Sequence, residues 1–168
     1  MLKHTHAVWY GQYMGAALER RLKMRRIDDA VIEGMLNLLV TGSTLIRQSE
    51  ALFGRFGVTS SAYNVLRILR GSHDGLPRGE IAQRMVNPSP DVTRLIDRLA
   101  RRGLVRRLRS KNDRRLSLTR ITPKGLELLE RAEAVNVEQR AHLASRLSDA
   151  EWRQLSALCE RVYGADIV

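Results

Sequence analysis

Apolar residues recur at helical spacing along most of this chain and switch to a strand-like alternation only once. A long helix is predicted from Asp28 to Phe53, with Asp28 and Asp29 at its positive N-terminal end and Gly54 at its stop. Its Val31, Leu38, Leu39, Leu45, Ile46 and Leu52 supply more apolar surface than one side of a small domain needs. Thr59 or Ser60 is the predicted N-cap of a second helix that carries Tyr63, Val65, Leu66 and Leu69 at helical spacing. Residues 71–75 compose a turn, and Pro77 suits the first turn of a short third helix burying Ile81, Ala82 and Met85. The break at Asn87-Pro88-Ser89-Pro90 predicts a fourth helix with Ser89 as N-cap, Pro90 at the first helical position and Asp91 in the first turn. That helix runs to Arg102 and ends at Gly103.

Beyond Gly103 the period shortens. Residues 104–109 read as a strand, 110–113 as its turn, and 114–121 as the returning strand with Leu116 and Leu118 on one face. Thr122-Pro123-Lys124-Gly125 then opens a long helix through Ser145. A last helix starts with the capping box Ser148 to Glu151 and buries Trp152, Leu155, Leu158 and Val162. Ahead of all this, the first twenty-odd residues mix glycines, aromatics and basic residues, which reads as an arm containing a short helix.

Composition narrows the class. The length of 168 residues suits one domain with an arm, and 43% apolar with 28% charged residues excludes a disordered or membrane-embedded chain. Because no unbroken apolar run of about 18 residues occurs, no transmembrane helix is expected. The first six residues lack the apolar region of a secretory signal, so a cytoplasmic protein with no membrane partner is expected. Cys159 is the sole cysteine, which excludes an intrachain disulfide and a CxxC site, and a packed, inert thiol is its expected state. Neither HExxH, nor a P-loop, nor a spaced GxGxxG occurs; Ser72-His73-Asp74 is a turn whose adjacent residues cannot align as a catalytic triad. No enzyme, metal or cofactor is therefore expected.

Charge is where the chain departs most from the ordinary. The formal net charge is +11, and the stretch from Arg94 to Lys124 alone holds twelve basic residues against Asp97 and Asp113, a local net of +10. Such a focused block points to a docking surface for a polyanion rather than to general solubility. Within it, Val92, Leu95, Ile96 and Leu99 form an apolar stripe on the fourth helix, and Arg94, Arg98 and Arg101 form a second, cationic stripe. A short turn, a helix with a cationic outer face and a basic hairpin together predict a winged helix-turn-helix: mainly α with a small β-hairpin wing. The recognition helix of such a unit enters the major groove, which places Ser89, Asp91, Thr93, Arg94 and Asp97 at or near base edges. Arg94 suits a forked contact to guanine, while Arg98, Arg101 and Arg102 suit phosphate, and the hairpin tip suits a minor groove, whose potential attracts arginine. The competing reading is a sequence-independent architectural or anionic-surface binder in which Arg20 to Arg26 also takes part.

Three segments resemble the MarR family of transcriptional regulators: Val92-Thr93-Arg94-Leu95-Ile96-Asp97-Arg98-Leu99, Arg102-Gly103-Leu104-Val105-Arg106-Arg107, and Asp113-Arg114-Arg115 followed by Ile121-Thr122-Pro123-Lys124-Gly125. The resemblance spans roughly Leu36 to Leu129. It implies that Arg115 inserts into the minor groove, that Asp113 pairs with a nearby arginine to hold the wing, and that the N- and C-terminal helices build a homodimer. It also implies a repressor of a pseudo-palindromic operator in double-stranded DNA, released by a small-molecule effector or another signal; Trp9, Met35, Tyr63 and Arg67 are the candidate ligand-binding residues. A urate-binding branch of the family is similar in Trp9 and Arg94, whereas Asn64 stands where that branch has an Asp. The expected organisation is an N-terminal arm, 1–26, and a MarR-like domain, 27–168. Within that domain the winged helix-turn-helix covers 56–122 and the dimerisation helices 28–53 and 123–163.

Overall fold

The structure, a computed structural model, describes residues 15–23, 29–87, 91–109 and 117–164. It divides into two compact units on either side of the Ser49–Glu50 bond. The first holds α1 (Ala16–Leu22), on which Leu18 is buried, and most of α2 (Ala30–Gly54). Asp29 starts α2: its Oδ1 accepts from the backbone N–H groups of Val31 and Ile32 at 2.8 and 3.1 Å. Val31, Met35, Leu39 and Ile46 along α2 are all exposed. This helix is long and apolar enough, by length and composition, to cross a membrane, contrary to the sequence expectation. Asn37, Thr41, Ser43 and Thr44 interrupt its apolar run without lowering the average much, so counting unbroken runs overlooks it.

The second unit begins with the last turn of α2, whose Leu52 and Phe53 are buried, and continues through α3 (Ser60–Arg70), β1 (Leu76–Pro77), α4 (Arg78–Gln83) and α5 (Val92–Arg101). The wing strands β2 (Val105–Arg109) and β3 (Ser117–Ile121) follow, then α6 (Pro123–Ala144) and α7 (Asp149–Tyr163). Thr59 caps α3 by accepting from Ala62 N–H, and all four apolar residues foreseen on that helix are buried. The core joins them to Ile81, Leu95, Ile96, Leu99, Leu104 and Leu129. Burying a side chain of that size contributes about 1.5–3 kcal/mol each, before the ordering entropy is subtracted.

Four local expectations need correction. The N-cap of α5 is Asp91, not Ser89: the Asp91 carboxylate accepts from Arg94 N–H at 3.1 Å and fixes the helix start there. Leu76–Pro77 is a strand, placing β3 at the centre of a three-stranded antiparallel sheet in the order β1-β3-β2. With partners on both edges and helices on one face, β3 turns Thr119 into the core, while Leu118 is only half-buried on the other face. On α7, Trp152 is half-buried but Leu155, Leu158 and Val162 are exposed, because no other segment of the described chain covers that stripe.

Two glycines position the wing. Gly103, at φ +71°, ends α5 in a left-handed turn in which Leu104 N–H reaches Leu99 O and Gly103 N–H reaches Ala100 O, at 3.0 and 2.9 Å. Gly125 sits in the first turn of α6, where a Cβ would run into the Leu104 carbonyl oxygen and lie 2.7 Å from Ile121 Cγ1. Between them, Thr122 donates its hydroxyl to Gly103 O at 2.7 Å and accepts from Gly125 N–H at 3.2 Å. The exit of α5, the end of the wing and the start of α6 are thereby locked together.

Candidate nucleic-acid interface

The recognition helix α5 carries its two stripes as the spacing demands. Val92, Leu95, Ile96 and Leu99 are all buried, and Arg94, Arg98 and Arg101 are exposed on the other side. Both helix-end devices serve this display. Asp91 caps the first turn and also pairs with Arg94 Nε at 3.0 Å, holding the base of a side chain that is 85% exposed. At the far end the left-handed Gly103 sends the chain straight into β2.

Thr93 and Asp97, expected at base edges, both have protein partners. Thr93 Oγ1 accepts from Arg78 Nη1 at 2.8 Å, which joins the first turn of α4 to the first turn of α5. Asp97 is bound by Arg107 of β2, fastening the wing to the recognition helix. Arg102, expected at phosphate, instead donates to the backbone carbonyls of Gly57 and Phe56 and braces the turn before α3. Arg98 and Arg101 have no carboxylate partner among the described residues. With Thr59 and Ala62 of the first turn of α3 they line a concavity of about 360 Å³. Cationic side chains beside a helix N-terminus are the chemistry that takes a phosphate oxygen.

Ser89 and the wing-tip residues Asp113, Arg114 and Arg115 lie outside the described residues, as does Trp9. Of the other ligand candidates, Met35 is exposed on α2 in the first unit. In the second unit, Tyr63 is buried and stacked on Phe53 with ring centroids 3.8 Å apart, and Arg67 is exposed. The Tyr63 hydroxyl is buried and has no hydrogen-bond partner among the described residues. Burial pushes its pKa up, Glu133 adds to the rise, and Arg67 and Arg70 oppose it. Glu133 itself is held below the ordinary carboxylate range by its hydrogen bond from Arg70, an Nη1–Oε2 contact of 2.8 Å. No group of His, Cys, Asp or Glu suited to a metal ion occurs among the described residues.

Sequence reasoning gave Arg78 and Arg107 no role of their own, and it named Asn64 only as standing where one branch of the family has an Asp. Asn64 Oδ1 accepts from Val86 N–H at 3.0 Å, anchoring the loop that leads toward α5. A polar residue on the largely buried α3 was the available sign for Asn64; the Asp97–Arg107 spacing across the Gly103 turn was the sign for Arg107.

Comparison with known proteins agrees with this geometry. The MarR family profile matches residues 56–116. A MarR transcription factor from Planctomyces limnophilus, known from its crystal structure, is 35% identical, and the match covers 80% of this chain and 98% of that one at a TM-score of 0.61. A protein of Thauera aromatica, assigned as a transcriptional regulatory protein for the hcr operon, is 32% identical over 110 residues, 66% of this chain and 66% of its own length. The crystal structure of the S. aureus MepR–DNA complex matches at a TM-score of 0.66 and 26% identity, covering 75% of this chain and 93% of that one.

Proposed function

Because this chain belongs to the MarR family of transcriptional regulators, we propose that it acts as a repressor: a homodimer that binds a pseudo-palindromic operator and is released by a small-molecule or other signal. The carrying observation is α5, a capped helix with one face wholly in the core and Arg94, Arg98 and Arg101 exposed on the other. In this reading Arg94 meets a base edge, while Arg98 and Arg101 meet phosphate beside the first turn of α3. Asp91, Thr93 and Asp97 serve the interface by holding α5, Arg78 and the wing in place. Ser89 and the wing tip, with Asp113, Arg114 and Arg115, complete the contact, Arg115 in the minor groove. MepR, a related structure, was solved in complex with DNA, which supports a duplex partner.

The division of labour we infer is an arm over 1–26, a DNA-binding unit over 56–122 and dimerisation helices over 28–53 and 123–163. Exposed apolar residues on α2 and on α7 support the dimer, since apolar stripes of that kind are seldom left in water. Two-fold symmetry then spaces the recognition helices by about 34 Å, one turn of DNA. Fragments of the source genome selected by the protein provide the operator. On such a fragment Arg94→Ala and Arg115→Ala each weaken binding sharply, Arg94→Ala also relaxes the preference at one base pair, and log affinity falls with log salt at a slope of about −0.9 per phosphate neutralised. Unchanged binding in both variants overturns the assignment of the DNA face. Equal affinity for random duplex would instead favour a sequence-independent architectural binder.

A further inference from the structure

A carboxylate is an unexpected group at the start of a helix whose outer face is cationic. The N-caps of α3 and α6 are threonines, whose hydroxyls satisfy first-turn N–H groups without adding charge. Helix α5 is capped by Asp91 instead, and a negative charge there opposes any approaching phosphate. Capping alone does not call for that charge, since serine and asparagine cap as well. The charge has a second use. Asp91 Oδ1 accepts from the Arg94 backbone N–H at 3.1 Å, while Oδ2 pairs with Arg94 Nε at 3.0 Å. One carboxylate thus holds both the backbone and the side chain of the same residue.

What remains open on Arg94 is its far end. Nε is taken, and Nη1 and Nη2 make no ion pair or hydrogen bond among the described residues. They form a fork on a largely exposed side chain. Guanine offers N7 and O6 to such a fork, and no other base presents two adjacent acceptors in the major groove. An unheld arginine has an alternative: its long stem lets it swing to a phosphate oxygen, which every sequence carries. An exposed ion pair of this kind adds little to stability, so its consequence lies in orientation. Fixing Nε before DNA arrives also removes part of the ordering cost of binding.

We propose that Asp91 is a specificity-determining positioning residue: it sets the preference for guanine at one base pair by holding Arg94 as an end-on fork and keeping it from phosphate. This role rests on the reading of α5 as the groove-entering helix with Arg94 at a base edge. Asp91 itself touches no base; it acts through Arg94.

Duplexes selected by the parent protein from a randomised pool supply the preferred site, and Arg94→Ala marks the base pair that Arg94 reads. Asp91→Asn is the deciding variant, because asparagine keeps the cap but has no second oxygen for Nε. Its melting temperature matches the parent's, and Asp91→Ser, a second uncharged cap, behaves alike. The preference for guanine at the marked pair falls about fivefold or more, while preferences at the other pairs stay within about twofold. Random duplex binds as tightly as to the parent, or more tightly. In an Arg94→Ala background the same substitution changes the preference at that pair by less than about twofold, because the residue it acts through is gone. The role is overturned if both uncharged caps keep the parent's preference at the marked pair, or if they weaken every pair alike, as loss of helix order would. It is equally overturned if the preference falls as far in the Arg94→Ala background, which makes Asp91 a base reader itself. A parent that selects no site, or an Arg94→Ala variant that relaxes no pair, overturns the DNA reading of α5 and this role with it. A failure confined to the Asp91 variants leaves that reading standing.

Discussion

The winged core from Leu52 to Ala132 and the C-terminal helix α7 both carry apolar stripes at helical spacing and put them to opposite use. In the core, Val65, Leu66, Leu69, Ile81 and Leu129 are fully enclosed by the chain's own helices and sheet. On α7, a helix with a complete capping box, no residue is buried, and Leu155, Leu158 and Val162 face outward. Both helical stripes follow the same period, so period alone does not say what a stripe packs against. A stripe enclosed by its own chain is a folding device. One that the chain leaves open is a surface, and its energetics belong to whatever covers it.

Substitutions can break or sharpen that contrast. The largest effect is expected at Leu129→Ala, which empties a fully enclosed site and lowers unfolding free energy by about 2–5 kcal/mol, read from denaturant midpoints. A cost no greater than that of Leu158→Ala would erase the distinction. Thr122→Ala removes the α6 cap and the hydroxyl bond to Gly103, costing about 1–2 kcal/mol by the same measurement. Glu133→Gln tests the partly exposed pair at the core's edge and costs only about 0.2–1 kcal/mol near neutral pH. Because Arg70 holds the Glu133 pKa below its unfolded value, this contribution is present above the ordinary carboxylate pKa and is lost as pH falls through the depressed one. Melting temperatures of parent and variant therefore converge below about pH 4. Smallest of all is Leu158→Ala, within about 0.5 kcal/mol for the winged core, with its main consequence in sedimentation: a shift from dimer toward monomer.

The recognition helix was legible in the sequence because its two stripes are strict and its ends carry strong punctuation, a capping cluster before Val92 and Gly103 after Arg101. Even there the cap was misassigned, since Ser89 and Asp91 are both good cap residues and only the geometry chooses Asp91. The strand at Leu76–Pro77 was not legible: two residues are too few to show alternation, and proline at the start of a helix offered a sufficient account. Thr119 in the core was hidden by its polarity, because an inward threonine is betrayed only by a second neighbouring strand. The cationic block was legible as charge but not as geometry. Composition could not reveal that Arg102 would brace Gly57 and Phe56, that Arg107 would bind Asp97, or that Arg106 would face Arg120 across the wing.

The Asp97–Arg107 contact also limits how the protein can change over generations. Asp97 lies one turn beyond Arg94 on α5, where a new side chain would be the simplest way to alter the preferred base. Replacing it, however, leaves Arg107 without its acceptor and removes one of the contacts that hold the wing to the helix it flanks. Positions 97 and 107 therefore drift as a pair, and selection for altered operator preference would recover changes at 97 together with a compensating change at 107.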